Sequence, residues 1–129
     1  MNSMFSGANS FNNANQPLTW NTQNVTDMMQ MFKNATAFDQ PLVDDQGNGW
    51  NVGQVTSMVD MFIGGDSGGP FFKTVNYSNF LINCAEQATT TGVQSNVQLD
   101  ASATPNAEGE TAKTTLRDNH NWTINDGGT

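Results

Sequence analysis

The sequence predicts an α/β fold in which about two and a half short helix–strand units stack as a solenoid and a closing α/β segment follows them. Three observations predict this fold. The pattern M-x-x-M-F-x-x-A-x-x-F occurs twice and begins a third time, its matched positions are apolar while unmatched ones are polar, and the tail has its own strand and helix patterns. One unit cannot bury its own apolar face, so the stack is the stable object.

The tandem units begin at Met1, Met28 and Met58, which are offsets of 27 and then 30 residues. Their differences are confined to polar stretches rich in Gly and Asn, above all residues 43–49 of the second unit. A solenoid tolerates such insertions because loops can grow outward without disturbing the stack. We therefore place tandem repeats in residues 1–62, with units at 1–27 and 28–57 and a third starting at 58.

Each unit is predicted to contain a helix and then a strand. In the second unit the i, i+3, i+4 and i+7 spacing of one helix face is occupied by Met28, Met31, Phe32 and Ala35. Thr26 or Asp27 could cap the start of this helix. The segment Gln40-Pro41-Leu42 ends helical geometry, because proline disfavours it in the preceding residue. The alternation in Trp50-Asn51-Val52 predicts a short, half-buried strand.

The rest of the chain is divided into a Gly-rich insertion at 63–75 and a C-terminal capping segment at 76–129. Within the cap we predict a strand at Val97-Gln98-Leu99, a helix from Gly109 to Arg117 and a last strand from Trp122 to Ile124. Such an end piece would shield the final repeat and satisfy its edge. The N-terminal end shows no equivalent, which leaves that edge open for further repeats or subunits.

Composition excludes several classes of protein. The chain has 129 residues with a net charge of −8, and only 12% are charged, while Asn and Thr are abundant at eighteen and fifteen residues. Nucleic-acid binding needs a basic surface, so no nucleic-acid partner is expected. No run approaches the ~20 apolar residues that span a bilayer, so no membrane insertion is expected. The single cysteine, Cys84, excludes an internal disulfide and a four-thiolate zinc site.

Two motifs suggest chemistry, and neither is complete. Residues 65–70 spell Gly-Asp-Ser-Gly-Gly-Pro, the nucleophile motif of chymotrypsin-like proteases, but no histidine precedes Ser67 and His120 lies far downstream. The loop around Asp44 and Asp45 offers oxygens for calcium but lacks the ligand order of an EF-hand, which leaves open whether it binds calcium. We expect no catalytic residue, no metal and no cofactor. Cys84 is expected to be a buried, inert thiol.

The pattern M-x-x-M-F-x-x-A-x-x-F-(N/D)-Q-P-L…W-N-V-x-x-V-T resembles the repeat of BspA-like leucine-rich-repeat surface proteins of bacteria. The tail is also similar to the closing segment of that family, through Asn76-Tyr77-Ser78-Asn79-Phe80-Leu81-Ile82, Ala112-Lys113-Thr114-Thr115-Leu116-Arg117 and Trp122-Thr123-Ile124-Asn125-Asp126-Gly127-Gly128. It departs at Asn83-Cys84, where the family has Gly-Trp, and at Lys113, where it has Arg. The resemblance implies a leucine-rich-repeat-like solenoid with a C-terminal cap, displayed at a cell surface or extracellular.

These observations predict a non-enzymatic module that recognises a protein or glycan on another surface and so serves adhesion. The strand alternation points Trp20 and Thr22 inward with their counterparts in the second unit. It leaves Asn21, Gln23 and Asn51 on the outer face as candidate ligand-binding residues, whose amides could hydrogen-bond hydroxyls or backbone groups. The alternative is a structural spacer or terminal cap of a larger surface or phage/virion protein, with no ligand of its own.

Overall fold

The regular secondary structure lies in the C-terminal part of the chain in the computed structural model, which describes residues 1–44, 46, 48–64 and 72–129. Strands β1 (Met58–Phe62), β2 (Gln98–Ala101) and β3 (Thr123–Asn125) form one parallel sheet in the order β1-β2-β3. Helix α1 (Thr74–Thr89) connects the first two strands and α2 (Ala107–His120) connects the last two. Parallel neighbours need such crossovers, so the alternation of strand and helix explains the sheet.

Each helix has one apolar face that it buries, and α2 also has capped ends. In α1 the buried face is Tyr77, Phe80, Leu81 and Cys84, at i, i+3, i+4 and i+7. Helix α2 begins where the Asn106 side chain accepts a hydrogen bond from the Gly109 N–H at 2.9 Å. It ends at Asn121, which adopts the left-handed conformation with φ +56°. The two helices pack on each other beside the sheet.

The predicted leucine-rich-repeat-like solenoid of helix–strand units is wrong. Among the described residues before Met58, the only regular element is a short 3-10 turn at Asn13–Asn15, and neither an α-helix nor a strand occurs there. The segment predicted to be a helix, 28–35, consists of turns, and Trp50–Val52 is not a strand. The structure is instead a small α/β fold with two α-helices and an open, three-stranded parallel sheet.

The backbone of the tandem units explains why no helix forms. The N–H groups of Met31, Lys33 and Ala35 close turns onto carbonyls three residues earlier. The alternate N–H groups point the other way and bond to the next unit, and Gln30 and Asn34 have φ of +56° and +60°. A helix would need all of these N–H groups on carbonyls four residues earlier. The spacing of the apolar residues therefore predicts correctly which residues are buried, but it predicts the wrong backbone conformation.

The units nevertheless pack directly on each other through their aromatic rings. Phe32 lies between Phe5 and Phe62, with ring centroids 5.4 and 5.7 Å away. Trp20 stacks on Trp50 at 6.5 Å with an interplanar angle of 11°. Phe32 and Trp50 are fully buried, and the apolar core continues from them to the sheet and α1.

The predictions for the tail agree with the structure except for one helix. The expected strands near Val97–Leu99 and Trp122–Ile124 correspond to β2 and β3, and the expected helix corresponds to α2. Helix α1 was not predicted, although it occupies sixteen residues. The proposed division into 1–62, 63–75 and 76–129 stays a prediction, and much of the Gly-rich insertion falls outside the described residues.

Candidate functional site

A polar groove of about 360 Å³ opens between the second tandem unit and the turn that follows α1. Most of its lining comes from exposed amides and small residues: Gln23, Asn51, Gly53, Gln54, Thr91, Gly92, Val93 and Gln94. Among the described residues that line the groove, none is charged. This absence is notable in a chain with a net charge of −8.

Helix α1 does not line the groove, but two of its amides bind the second unit beside it. Asn83 Nδ2 and Gln87 Nε2 both donate to the Trp50 carbonyl, at 2.9 and 2.8 Å. Gln87 Oε1 also accepts from the Val52 N–H at 2.8 Å. Since Asn83 is buried, these contacts fix the end of α1 against the backbone that leads into Asn51.

The turn after α1 brings the second side of the groove into place. The N–H groups of Thr90 and Gly92 both donate to the Gln87 carbonyl, and Gly92 has φ +94°, a conformation that favours glycine. Gln94 Nε2 then donates to the Gly53 carbonyl at 3.0 Å, while the Gln94 carbonyl accepts from the Trp122 indole N–H. Gln94 therefore ties the turn to both the second unit and the end of α2.

The groove can donate and accept hydrogen bonds without carrying charge. Asn51 Oδ1 accepts from the Gly53 N–H at 2.9 Å, which orients the Asn51 amide and leaves its Nδ2 as a donor. Gln23 and Gln54 are exposed, and their carboxamides make no hydrogen bond to any residue that the structure describes. Their donors and acceptors face solvent, as required for contacts with hydroxyl or peptide groups.

Two of the three predicted site residues lie in this groove. Gln23 and Asn51 line it, whereas Asn21 does not, and Asn21 Oδ1 accepts the Gln23 N–H at 3.1 Å. Trp20 stacks on the buried Trp50, but it is itself 42% exposed. Thr22 is buried as predicted and donates to the Asn51 carbonyl. The assignment of Asn21, Gln23 and Asn51 as ligand-binding residues stays a prediction.

Gln54 and residues 91–94, which also line the groove, were not predicted from the sequence. Gln54 directly follows the second unit's Asn51-Val52-Gly53 and could have been included as its neighbour. Residues 91–94 lie about forty positions downstream, and only the Thr-Thr-Thr-Gly sequence at 89–92 signals the end of a helix there. Nothing in the sequence indicates that this end lies beside Asn51.

Among the residues that the structure describes, the other motifs form no site. The protease-like string around Ser67 and the Asp45 position of the acidic loop lie outside the described residues. Asp44 Oδ1 accepts the N–H groups of Gln46 and Asn48. The Asn48 side chain, which donates to the other oxygen, is the main cause that lowers the pKa of Asp44, and the Asn48 N–H adds to it. In the described part of the chain, no three His, Cys, Asp or Glu side chains gather to hold a metal ion.

Cys84 and His120 have the positions expected of structural residues. Cys84 is fully buried, and burial raises the pKa of its thiol far above the ordinary value. His120 is half-buried in the last turn of α2, where its carbonyl accepts from the Asn96 N–H. For 1–44, 46, 48–64 and 72–129, no helix has both the length and the apolar character needed to cross a bilayer.

A second concavity of about 400 Å³ lies between the exposed faces of α1 and α2. Its lining is mainly aliphatic and threonine side chains, with Glu86 and Glu108 among them. No residue of the predicted ligand-binding set reaches it. The amide groove is therefore the candidate site.

Comparison with known proteins identifies one family. The model described as "Mycoplasma protein of unknown function, DUF285" matches residues 1–80, which is more than half of the chain. The chain belongs to the DUF285 family. No curated protein and no solved structure matches it. The relationship predicted from the tandem pattern is thus confirmed at the level of DUF285, whose description states no function.

The DUF285 match includes one side of the groove and omits the other. Gln23, Asn51 and Gln54 lie within the matched residues, as does the start of α1. Residues 91–94 and the strand β3 follow it. The groove is therefore formed where the DUF285 part of the chain meets the segment after it.

Proposed function

We propose that this chain is a non-enzymatic recognition module that binds a neutral polar ligand, a glycan or a protein surface, in the amide groove. The observation that carries the proposal is the convergence of four side-chain amides, Gln23, Asn51, Gln54 and Gln94, around one uncharged concavity. Amides offer a donor and an acceptor together, so each can pair with a hydroxyl or a peptide group. A charged ligand would find no countercharge among the described lining residues.

Surface display and adhesion are part of the same proposal. DUF285 membership and the closing-segment motifs support a relationship to BspA-like surface proteins, in which the module faces outward to a partner on another surface. The acidic composition argues against nucleic acid as that partner, since phosphate binding needs basic residues. A ligand in such a groove would be held by hydrogen bonds, and water must first be removed from the amides that form them. Only the free energy left after this desolvation contributes to binding, so we expect moderate affinity.

The experiment is binding of the full chain to an array of neutral oligosaccharides and of extracellular proteins, followed by titration of each hit. Gln23→Ala and Gln54→Ala remove carboxamides that bond to no described residue, so neither should disturb the fold. Each lost hydrogen bond is worth about 0.5–1.5 kcal/mol, which predicts an affinity loss of about 2- to 10-fold per variant.

Gln16→Ala is the matched control, because Gln16 is also exposed but lies outside the groove. It should bind as tightly as the parent. Hits whose affinity falls equally in all three variants, or in none, would remove the groove from consideration. An array without any hit would favour the structural alternative, a spacer or terminal cap with no ligand.

The absence of enzymatic activity is tested separately at Ser67. We expect a fluorophosphonate probe to leave the chain unlabelled, since Ser67 has no histidine before it in the sequence. Labelling that disappears in Ser67→Ala would overturn the non-enzymatic part of the proposal. Ser3→Ala serves as the control for unspecific labelling of serine.

A further inference from the structure

The second concavity, of about 400 Å³, lies between two helices that run in the same direction. Helices α1 and α2 each connect neighbouring strands of one parallel sheet, so both return antiparallel to the strands. They come close at Gly109, where an added Cβ would lie 3.0 Å from Ser78 Oγ. Ser78 Oγ also accepts from the Asn106 N–H at 2.9 Å. We call the concavity between the outer faces of α1 and α2 the helix groove.

Much of the helix groove is apolar. Ile82 and Ala85 line it from α1, and both are half-buried. The hydroxyls of Thr111 and Thr115 donate to carbonyls within α2, at 3.2 and 3.4 Å, so these residues can offer a partner mainly their methyl groups. Val75, which is 65% exposed, lies two turns before Ile82 on the same face of α1. The apolar surface therefore extends along α1 beyond the groove.

The charge of the helix groove is negative. Glu86 and Glu108 are the only charged residues among the described lining, and both are exposed. Neither carboxylate forms an ion pair with any residue that the structure describes. The four lysine and arginine side chains of the chain contact carboxylates or carbonyls elsewhere: Lys33, Lys73, Lys113 and Arg117. A lysine or arginine for the two glutamates would therefore have to come from a partner.

The two carboxylates stand about two helical turns apart along the groove. Glu108 lies at the level of Ser78, because its neighbours Asn106 and Gly109 both approach the Ser78 hydroxyl. Glu86 follows Ser78 on α1 by two turns, which is about 12 Å at the rise of an α-helix. Positions i and i+7 of a partner helix are separated by a similar rise of about 10 Å. One helix could therefore reach both glutamates.

We propose that the helix groove is a docking surface for a basic amphipathic helix of a partner protein. The apolar stripe of that helix would pack on Ile82, Ala85 and the threonine methyl groups, and lysine or arginine at positions i and i+7 would pair with Glu86 and Glu108. A second copy of this chain does not suit the groove, because its net charge of −8 would repel the two glutamates. The proposal does not depend on the amide groove.

The test is binding of the full chain to a fluorescein-labelled amphipathic peptide of about five helical turns. The peptide carries leucine on one face and lysine at two flanking positions, i and i+7. We expect saturable binding by fluorescence anisotropy at physiological ionic strength. A peptide that differs only in having glutamate at those two positions should bind at least about 10-fold more weakly, because like charges would then face each other.

Ala85→Gln tests the apolar part of the groove. The larger side chain would occupy space that the peptide needs, so the affinity for the lysine peptide should fall by about 10-fold or more. Thr114→Gln is the matched control, since Thr114 is exposed on α2 outside the groove. It should bind as the parent does. Circular dichroism confirms that both variants remain folded.

The charged part of the groove is tested by reversing it. A chain with both Glu86→Lys and Glu108→Lys should prefer the glutamate peptide over the lysine peptide. If that chain cannot fold, Glu86→Gln with Glu108→Gln should still lower the affinity for the lysine peptide by about 3-fold or more.

Three results would overturn the proposal. The first is that the two peptides bind the parent equally well or not at all. The second is that Ala85→Gln has no more effect than Thr114→Gln, or that the charge variants leave the preference unchanged. The third is a parent chain that is a dimer and becomes monomeric in Ala85→Gln, because a second copy would then fill the groove.

Discussion

The Lys113 ammonium lies 2.8 Å from the Asp126 carboxylate, and both side chains are buried. The other Asp126 oxygen accepts the Tyr77 hydroxyl at 2.8 Å, so α1, α2 and the C-terminal segment meet at one carboxylate. Burial, and then the Asp126 charge, raise the pKa of Tyr77 far above its ordinary value, which keeps the hydroxyl protonated as a donor. Lys113 and Asp126, which belong to two sequence motifs of the tail, therefore form a buried ion pair.

Lys113→Met should destabilise the chain strongly, because it leaves a buried carboxylate without its cation. Breaking such a pair costs about 3–5 kcal/mol of unfolding free energy. Urea unfolding followed by circular dichroism measures the change. Adding Asp126→Asn to Lys113→Met should restore part of the loss, since the uncompensated charge is then removed.

Lys33→Met is the control for this prediction. Lys33 also lies 2.8 Å from a carboxylate, that of Asp60, but both side chains are about one third exposed. We expect a loss below about 1 kcal/mol there. Similar losses for the two lysine variants would show that burial does not determine the strength of the Lys113 pair.

Phe32→Ala should cost more than Phe5→Ala, although both residues occupy the same position of their units. Phe32 is fully buried between two rings, whereas Phe5 is partly exposed and stacks on a neighbouring unit on one side. A buried Phe→Ala change costs about 3–5 kcal/mol, and the cost falls where the site is already open to solvent. Denaturant unfolding of both variants gives the comparison. Equal losses would contradict the difference in burial between the two rings.

The sequence pattern predicts which residues are buried better than it predicts the backbone conformation. Met28, Met31, Phe32 and Ala35 are all buried, as their spacing predicts, but the segment is not a helix. Alternate N–H groups bond to carbonyls of the next unit instead. Contacts between residues so far apart in the chain produce no recognisable pattern in the local sequence. The positive φ of Gln30 could not be foreseen either, because glutamine has no preference for that region.

The same limit applies to the candidate site. Gln23 and Asn51 could be selected because their amides follow buried positions in the repeat. Gln94 could not, since its place depends on where α1 ends and on Asn83 and Gln87 binding the Trp50 carbonyl. The exposure of Trp20 has a related cause. Alternation predicts which side a residue faces, but the exposure of that side depends on whether another unit covers it.

Cys84 should react with a thiol reagent only when the chain unfolds. The thiol is fully buried, and its raised pKa leaves little thiolate to react. We expect negligible modification by Ellman's reagent in native buffer and complete modification in denaturant. Cys84→Ala should cost about 1 kcal/mol through the small cavity it leaves. Rapid labelling of the native chain would contradict the packing of α1.

Glu110 should make the stability of the chain depend on acid pH. It lies in the first turn of α2, where its Oε2 accepts the Thr129 hydroxyl at 2.9 Å and its Oε1 accepts from Lys113 Nζ at 3.3 Å. Although burial acts to raise it, these hydrogen bonds hold the pKa of Glu110 below its ordinary value. The ionised carboxylate therefore stabilises the folded state above the unfolded-state pKa, and this contribution is lost as the pH falls through the lowered value.

The variant Glu110→Gln separates this contribution from the rest of the acid response. At neutral pH it should lower the unfolding free energy by at most about 1 kcal/mol, because the carboxylate is partly exposed and screened by solvent. The difference from the parent should shrink as the pH is lowered from about 7 to about 3, since the parent then loses the same charge. Thr129→Ala should reproduce part of the loss at neutral pH. A difference between Glu110→Gln and the parent that is constant over this range would exclude Glu110 as the titrating group.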